Sequence, residues 1–185
     1  DKKPSSGQVL IDGKAGKAKN KIAVLLQENT IPNSLKVEEL IAFFQSISDN
    51  PLTNQEVQEL LQFKEDQYQQ FADKLSGGQR RLLAFVLCLI DKPKILFLDE
   101  PTAGMDTSTR QRFWEIVNEL KKAGTTILYS SHYIEEVEHT ADRILVLHRG
   151  KLIRDTTPYA MRHEEKEKQV TLPSSFVSIV HGLSD

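Results

Sequence analysis

Cysteine is nearly absent: Cys88 is the single one in 185 residues. No disulfide can form within the chain, and a reducing compartment is the expectation. Long hydrophobic runs are missing too. No apolar stretch reaches the roughly 18 residues of a membrane-spanning helix, and no signal-peptide pattern is present. The chain is therefore expected neither to insert nor to be exported by itself, so that any membrane role runs through a partner. Charge of one sign is lacking as well: 24 Lys and Arg stand against 26 Asp and Glu, a net charge of −2. That balance gives no electrostatic case for nucleic-acid or anionic-membrane binding. What remains, 39% hydrophobic and 27% charged residues without a visible repeat, suits one globular domain with a real core.

The most informative stretch is Lys94–Pro101. Ile95, Leu96, Phe97 and Leu98 predict a strand buried on both faces, as in parallel sheets sandwiched by helices. It ends in Asp99 and Glu100, and Pro101 stops further ladder pairing. In open α/β sheets ligands sit off the carboxyl ends of the strands. One carboxylate there can hold a hydrated Mg²⁺, and the other can orient or deprotonate a water attacking a phosphoryl group. The bland alternative is a buried strand meeting a solvated acidic turn. Upstream, Leu75-Ser76-Gly77-Gly78-Gln79 precedes Arg80, Arg81 and the apolar run Leu82–Ile90. Ser76 is a good N-cap, the double glycine admits close approach to the backbone, and the run suits a buried helix. A helix N-terminus with free N–H groups is an anion site.

Other elements follow from periodicity and punctuation. Gln8–Asp12 reads as a short strand, and Gly13–Lys21 as a turn and solvated basic loop. Lys21–Leu26 reads as a buried strand ending at Gln27. Val37, Leu40, Ile41 and Phe44 recur at helical spacing. Thr53 and Glu56 form a capping box for a second helix, followed by a solvated stretch at Gln62–Gln70. After Asp106, itself a candidate N-cap, Phe113, Ile116, Val117 and Leu120 share a helical face, with Trp114 packing beside it and Gly124 as the stop. Thr125–Ser130 is a strand that delivers Ser131 and His132. Tyr133–Thr140 is a short helix, and Arg143–Leu147 pairs with Lys151–Arg154 as a hairpin. His139, His148, His163 and His181 lack motif context and read as surface residues. Tyr159–Lys168 reads as a charged helix, and Gln169–Leu172 as a strand with partners beyond residue 185.

LSGGQ (75–79), ILFLDEP (95–101), AGMD (103–106) and SSH (130–132), in this order, resemble the nucleotide-binding domain of ATP-binding-cassette (ABC) transporters, most like exporter-type cassettes. The resemblance covers about Ser5 to Arg154. It implies an α/β P-loop NTPase (ABC ATPase) fold over 1–154, with a mostly parallel sheet flanked by helices. A small helical subdomain at about 34–90 would face a transmembrane partner, and 155–185 would be an extension of unknown role. It further implies an ATPase subunit that uses ATP and Mg²⁺, pairs with a second ABC ATPase subunit as a homodimer or heterodimer, and drives a transmembrane permease. The expected location is cytoplasmic, peripheral on the inner face of the cell membrane, with no nucleic-acid partner. By resemblance Glu100 is the general base, Asp99 the Mg²⁺ ligand through water, Gln27 the metal and water contact, and His132 the γ-phosphate clamp. Ser76, Gly77, Gly78 and Gln79 would contact ATP held by the other subunit, and Asp106 would link the two ATP sites. Met105 stands where the family usually has Leu.

The family's phosphate-binding loop, GxxxxGK[ST], is expected upstream of residue 1. The near match Gly16-Lys17-Ala18 fails, because Ile11 stands at the first glycine position and Ala18 has no hydroxyl. These residues alone are thus expected to be weak or inactive in hydrolysis. The sheet is expected to be incomplete, with edges that favour self-association. The alternative readings are a non-transport ABC protein, of translation-factor or chromosome-maintenance type, and a catalytically dead regulatory module.

Overall fold

Six strands form one sheet, in the spatial order Ile22–Leu25, Ile95–Asp99, Thr126–Ser131, Phe176–Val180, Arg143–His148, Lys151–Thr156. The structure, a computed structural model, describes residues 4–11, 14–15, 22–28, 31–32, 34–162 and 176–180. Strand β1 (Leu10–Ile11) pairs antiparallel with β2 (Lys14–Ala15) outside that sheet. The expected basic loop at 13–21 thus begins with a paired strand, and the rest of it lies outside the described residues. In the sheet, β3 (Ile22–Leu25), β4 (Ile95–Asp99) and β5 (Thr126–Ser131) run parallel. Parallel neighbours need helical crossovers, and α1 (Val37–Ser46), α2 (Asn54–Leu61), α3 (Glu65–Gln69) and α4 (Gly77–Leu89) lie between β3 and β4, with α5 (Thr107–Lys122) between β4 and β5.

The second half of the sheet is mixed. Strand β6 (Arg143–His148) pairs antiparallel with β7 (Lys151–Thr156). Strand β8 (Phe176–Val180) lies between β5 and β6, antiparallel to both. The tail thus contributes a strand whose partners lie within the chain. The aromatic and β-branched residues Phe176, Val177, Ile179 and Val180 are the signal that marks it. The strand expected at Gln169–Leu172 lies outside the described residues.

Helices α4 and α5 bury their apolar stripes against one face of the sheet. Phe85 and Phe113 are fully buried with ring centroids 4.4 Å apart, and Trp114 packs edge-on against Tyr129 at 5.2 Å. Leu96 and Leu98 join this core, whereas Phe97 is 38% exposed and Val24 on β3 is 52% exposed. The expectation of two-sided burial for β4 is therefore wrong among the described residues: alternate side chains leave the sheet in opposite directions, and only one direction is covered.

The segment before α4 is a small helical layer. Thr53 caps α2 as expected: its hydroxyl accepts from the Glu56 N–H at 3.2 Å, and the Thr53 N–H donates to the Glu56 carboxylate at 2.6 Å. Gln62 then takes a left-handed φ of 52° to end the helix. The solvated stretch that follows includes the short helix α3, and a 3₁₀ turn at Ala72–Lys74 leads into Ser76.

Candidate active site

The parallel register sets the centre of the site. Asp99 stands opposite Ser130, the last but one residue of β5. The Ser130 hydroxyl donates to Asp99 Oδ1 at 2.5 Å and accepts the Glu100 N–H at 2.9 Å. Glu100 itself turns into the left-handed region at φ 45°, a conformation that costs a non-glycine residue about 1–3 kcal/mol and gathers at functional sites. That turn aims its carboxylate at His132, just past β5, whose Nδ1 lies 2.7 Å from Glu100 Oε2. Tyr133 stacks against the imidazole at 4.1 Å between ring centroids, and Arg110 lies 5.4 Å from the Tyr133 ring centroid. Asp99 is exposed and the Glu100 side chain is 19% exposed, so both acids are open to a ligand.

A buried cation organises the backbone beneath the acids. Arg81 is 7% exposed and lies on the apolar side of α4. Its Nε–H donates to the Pro101 carbonyl at 3.2 Å. Nη1 donates to the carbonyls of Leu26 and of Gln27, the latter at 2.9 Å. Nη2 donates to those of Asp99 at 2.7 Å and Glu100 at 3.3 Å. Burial lowers its pKa and the Asp99 charge opposes that shift, so a guanidinium, which stays charged in proteins, is suited to the place. Gln27, at the end of β3, is exposed. Its backbone carbonyl is thereby tied to the Asp99–Pro101 turn through the same side chain.

Ser76, Gly77, Gly78, Gln79 and Asp106 form a second group. Ser76 caps α4 through a reciprocal box, its hydroxyl accepting from the Gln79 N–H and its N–H donating to the Gln79 side chain, each at 3.2 Å. Gly77 is exposed, and a Cβ there would meet nothing within 4 Å. Gly78 is buried, and a Cβ on it would meet Met105 Cα at 3.2 Å and Asp106 Oδ2 at 3.3 Å. The second glycine thus lets the loop after β4 approach α4 closely. Asp106 caps α5, accepting from the Thr109 N–H at 3.0 Å and from the hydroxyls of Ser108 and Thr109. Those bonds, Ser108's first, hold its carboxyl well below the usual carboxylate range.

Ser130 stands in the SSH motif (130–132) without a role of its own there, and Arg81 lies in none of the motifs. The signal for Arg81 is a cation at helical spacing between Gly78 and Phe85, on a face otherwise buried. Ser130 has a weaker one, a hydroxyl at the end of a β-rich run. Cys88 is half-buried, and burial pushes its thiol up to about 11, in keeping with an inert packing role. Among the described residues no group of three or more His, Cys, Asp or Glu is arranged to hold a metal. Mg²⁺ needs only one or two protein carboxylates, and Asp99, exposed and fixed by Ser130 through one oxygen, fits that requirement.

The fold places the chain among ATP-binding cassettes. A solved ATP-binding subunit of an ABC transporter superposes with a TM-score of 0.75 at 22% identity, covering 91% of this chain and 74% of that one. The ATP-binding cassette MJ0796, solved as a dimer in a post-hydrolysis state with ADP and Pi, gives 0.72 at 20% identity, over 85% of this chain and 75% of that one. The ABC transporter family model matches residues 1–103, and the chain belongs to that family. It is 30% identical to the probable multidrug ABC transporter ATP-binding protein YbhF of Escherichia coli K12 over 96% of this chain and 33% of that protein. It is 33% identical to the linearmycin resistance ATP-binding protein LnrL of Bacillus subtilis 168 over 80% and 49%. The chain thus spans between a third and about half of the length of these relatives.

Proposed function

We propose that this chain is part of the ATP-binding and ATP-hydrolysing subunit of an ABC transporter, working on the inner face of the membrane against a permease partner. The observation that carries the reading is the Glu100–His132 contact at the end of β4, beside Asp99 held by Ser130. Glu100 takes the proton of the attacking water, whose oxygen adds to the terminal phosphoryl group of ATP as ADP leaves. His132 holds the Glu100 carboxylate in place and faces the phosphoryl group. Asp99 would hold Mg²⁺ through water, which when bound neutralises charge building on the phosphates. Gln27, at the end of β3, stands ready for the metal and the attacking water. No helix among the described residues is long and apolar enough to cross a membrane, so movement of the transported molecule falls to the partner.

The Ser76–Gln79 helix end serves a nucleotide held by a second ABC ATPase subunit, with Asp106 alongside at the junction. Gly77 faces open space at that helix N-terminus, where backbone N–H groups favour an anion. These residues contain no phosphate-binding loop of their own, and by themselves they turn over ATP at background.

The test mixes the chain with a cassette that carries such a loop and follows association by sedimentation in ATP and Mg²⁺. ATP-dependent pairing that is lost on Gly77→Asp is the expected result, and, once a phosphate-binding loop is joined ahead of residue 1, turnover that is lost on Glu100→Gln. A chain that never pairs, or turnover of that extended chain indifferent to Glu100→Gln, sinks the reading.

A further inference from the structure

We propose that Arg81 is a positioning residue of the nucleotide site, locking the Gln27 loop, the Asp99–Pro101 turn and the helix of Ser76–Gln79 into one rigid unit. The inference rests on the ATPase reading for its catalytic consequence, but not for its geometry. A guanidinium has five N–H donors in a planar fork, and here five backbone carbonyls receive them. Those carbonyls belong to two segments, Leu26–Gln27 after β3 and Asp99–Pro101 at the end of β4, and the fork itself belongs to α4. Every one is main chain, so these five bonds draw on none of the side chains of Asp99, Glu100 and Gln27.

The Glu100 turn shows what the clamp does. Its residue sits at φ 45°, and such strain persists only where the surroundings over-determine it. On one side the Glu100 N–H is held by Ser130. On the other, its carbonyl accepts from both Arg81 and the Ala103 N–H, the latter at 3.2 Å. Releasing Arg81 frees the carbonyl side, and the carboxylate facing His132 loses its fixed bearing. The same release uncouples the Gln27 carbonyl from the acidic turn, so one substitution disturbs residues that lie far apart in sequence.

Arg81→Lys keeps the charge but offers three donors from one point. Arg112 provides the control: its guanidinium also binds main-chain carbonyls, those of Leu60 at 3.0 Å and Glu59 at 2.6 Å, but at neither group of site residues. Amide exchange in the chain itself is the first measurement. Arg81→Lys is expected to speed exchange at Glu100 and Ala103 about tenfold or more while the β4–β5 ladder stays protected. Arg112→Lys is expected to leave those two amides unchanged. In the assembled ATPase, kcat for Arg81→Lys is expected to fall about tenfold or more with KM within about threefold, since small misplacements at a site are costly in rate. Unchanged exchange at Glu100 and Ala103, or equal acceleration in both variants, overturns the proposal. An assembly that never hydrolyses ATP refutes the ATPase reading instead, and exchange still decides Arg81. Should the lysine variant not fold, Arg81→Gln carries the same expectation. Should neither fold, slow exchange of the Arg81 guanidinium protons in the unaltered chain supports the clamp, and a freely rotating guanidinium overturns it.

Discussion

Helix starts at Thr53, Ser76 and Asp106 and the acidic end of β4 are all places where an element changes direction, and they are held differently. Each helix start is closed within its own first turn, by a bond between residues three apart in sequence. The end of β4 is closed by side chains from two other elements, Ser130 from β5 and Arg81 from α4. Local caps of this kind contribute about 1 kcal/mol each, and distant ones add independently. Shared networks do not add, because removing one member strands the others. The candidate site sits where the second kind of closure is found, because only that kind can bring acids, imidazole and loop backbone together.

The largest effect should come from the chemistry itself. Glu100→Gln in the assembled ATPase is expected to lower kcat about 10²- to 10⁴-fold, the range for losing a general base, with little change in melting temperature. A loss under tenfold would remove Glu100 from that role. Next comes the network: Arg81→Met leaves backbone carbonyls without a donor and should destabilise the chain by about 3 kcal/mol, seen as a lowered urea midpoint. A double-mutant cycle sharpens the contrast further. Ser130→Ala with Arg81→Lys should show coupling of about 1 kcal/mol, whereas Thr53→Ala, costing about 1 kcal/mol alone, should add to Arg81→Lys within about 0.5 kcal/mol. Coupling of equal size in both cycles would erase the distinction.

The smallest expected effect concerns pH. The folded state holds Asp106 well below its ordinary value of 3.8, chiefly through the Ser108 hydroxyl and then through Thr109. The unfolded chain therefore binds this proton more readily. The stability gained is fully present above the ordinary carboxylate value and is lost as the pH falls below it toward the folded one. Asp106→Asn should flatten that acid limb in a urea titration series, and an unchanged limb would show that other carboxylates carry it.

The same contrast explains what the sequence could reveal. Thr53 with Glu56, and Ser76 with Gln79, are legible because the partner is three residues away. Strand β4 and the acids at its end are legible because an apolar run stops at charges. His132 is placed beside Glu100 by the register of two strands, and the motif order only hinted at it. Arg81 and the role of Ser130 escape, since their partners are main-chain atoms or come from distant segments. The exposure of Phe97 escapes for a related reason: an apolar run reads the same whether one face or two are covered.

Strand β8 has a consequence for how the chain comes to be folded. Strands β5 and β6 are each bonded to β8 and stand apart from one another in the sheet. On a ribosome, the β3–β5 slab and the β6–β7 ribbon can each form as they emerge, but they cannot be zipped together until residue 180 has left the exit tunnel. At about 5–20 residues per second, a nascent chain passes through seconds in which both flanks of that seam are bare. A chaperone that shields unpaired strand edges would have its longest opportunity in that interval.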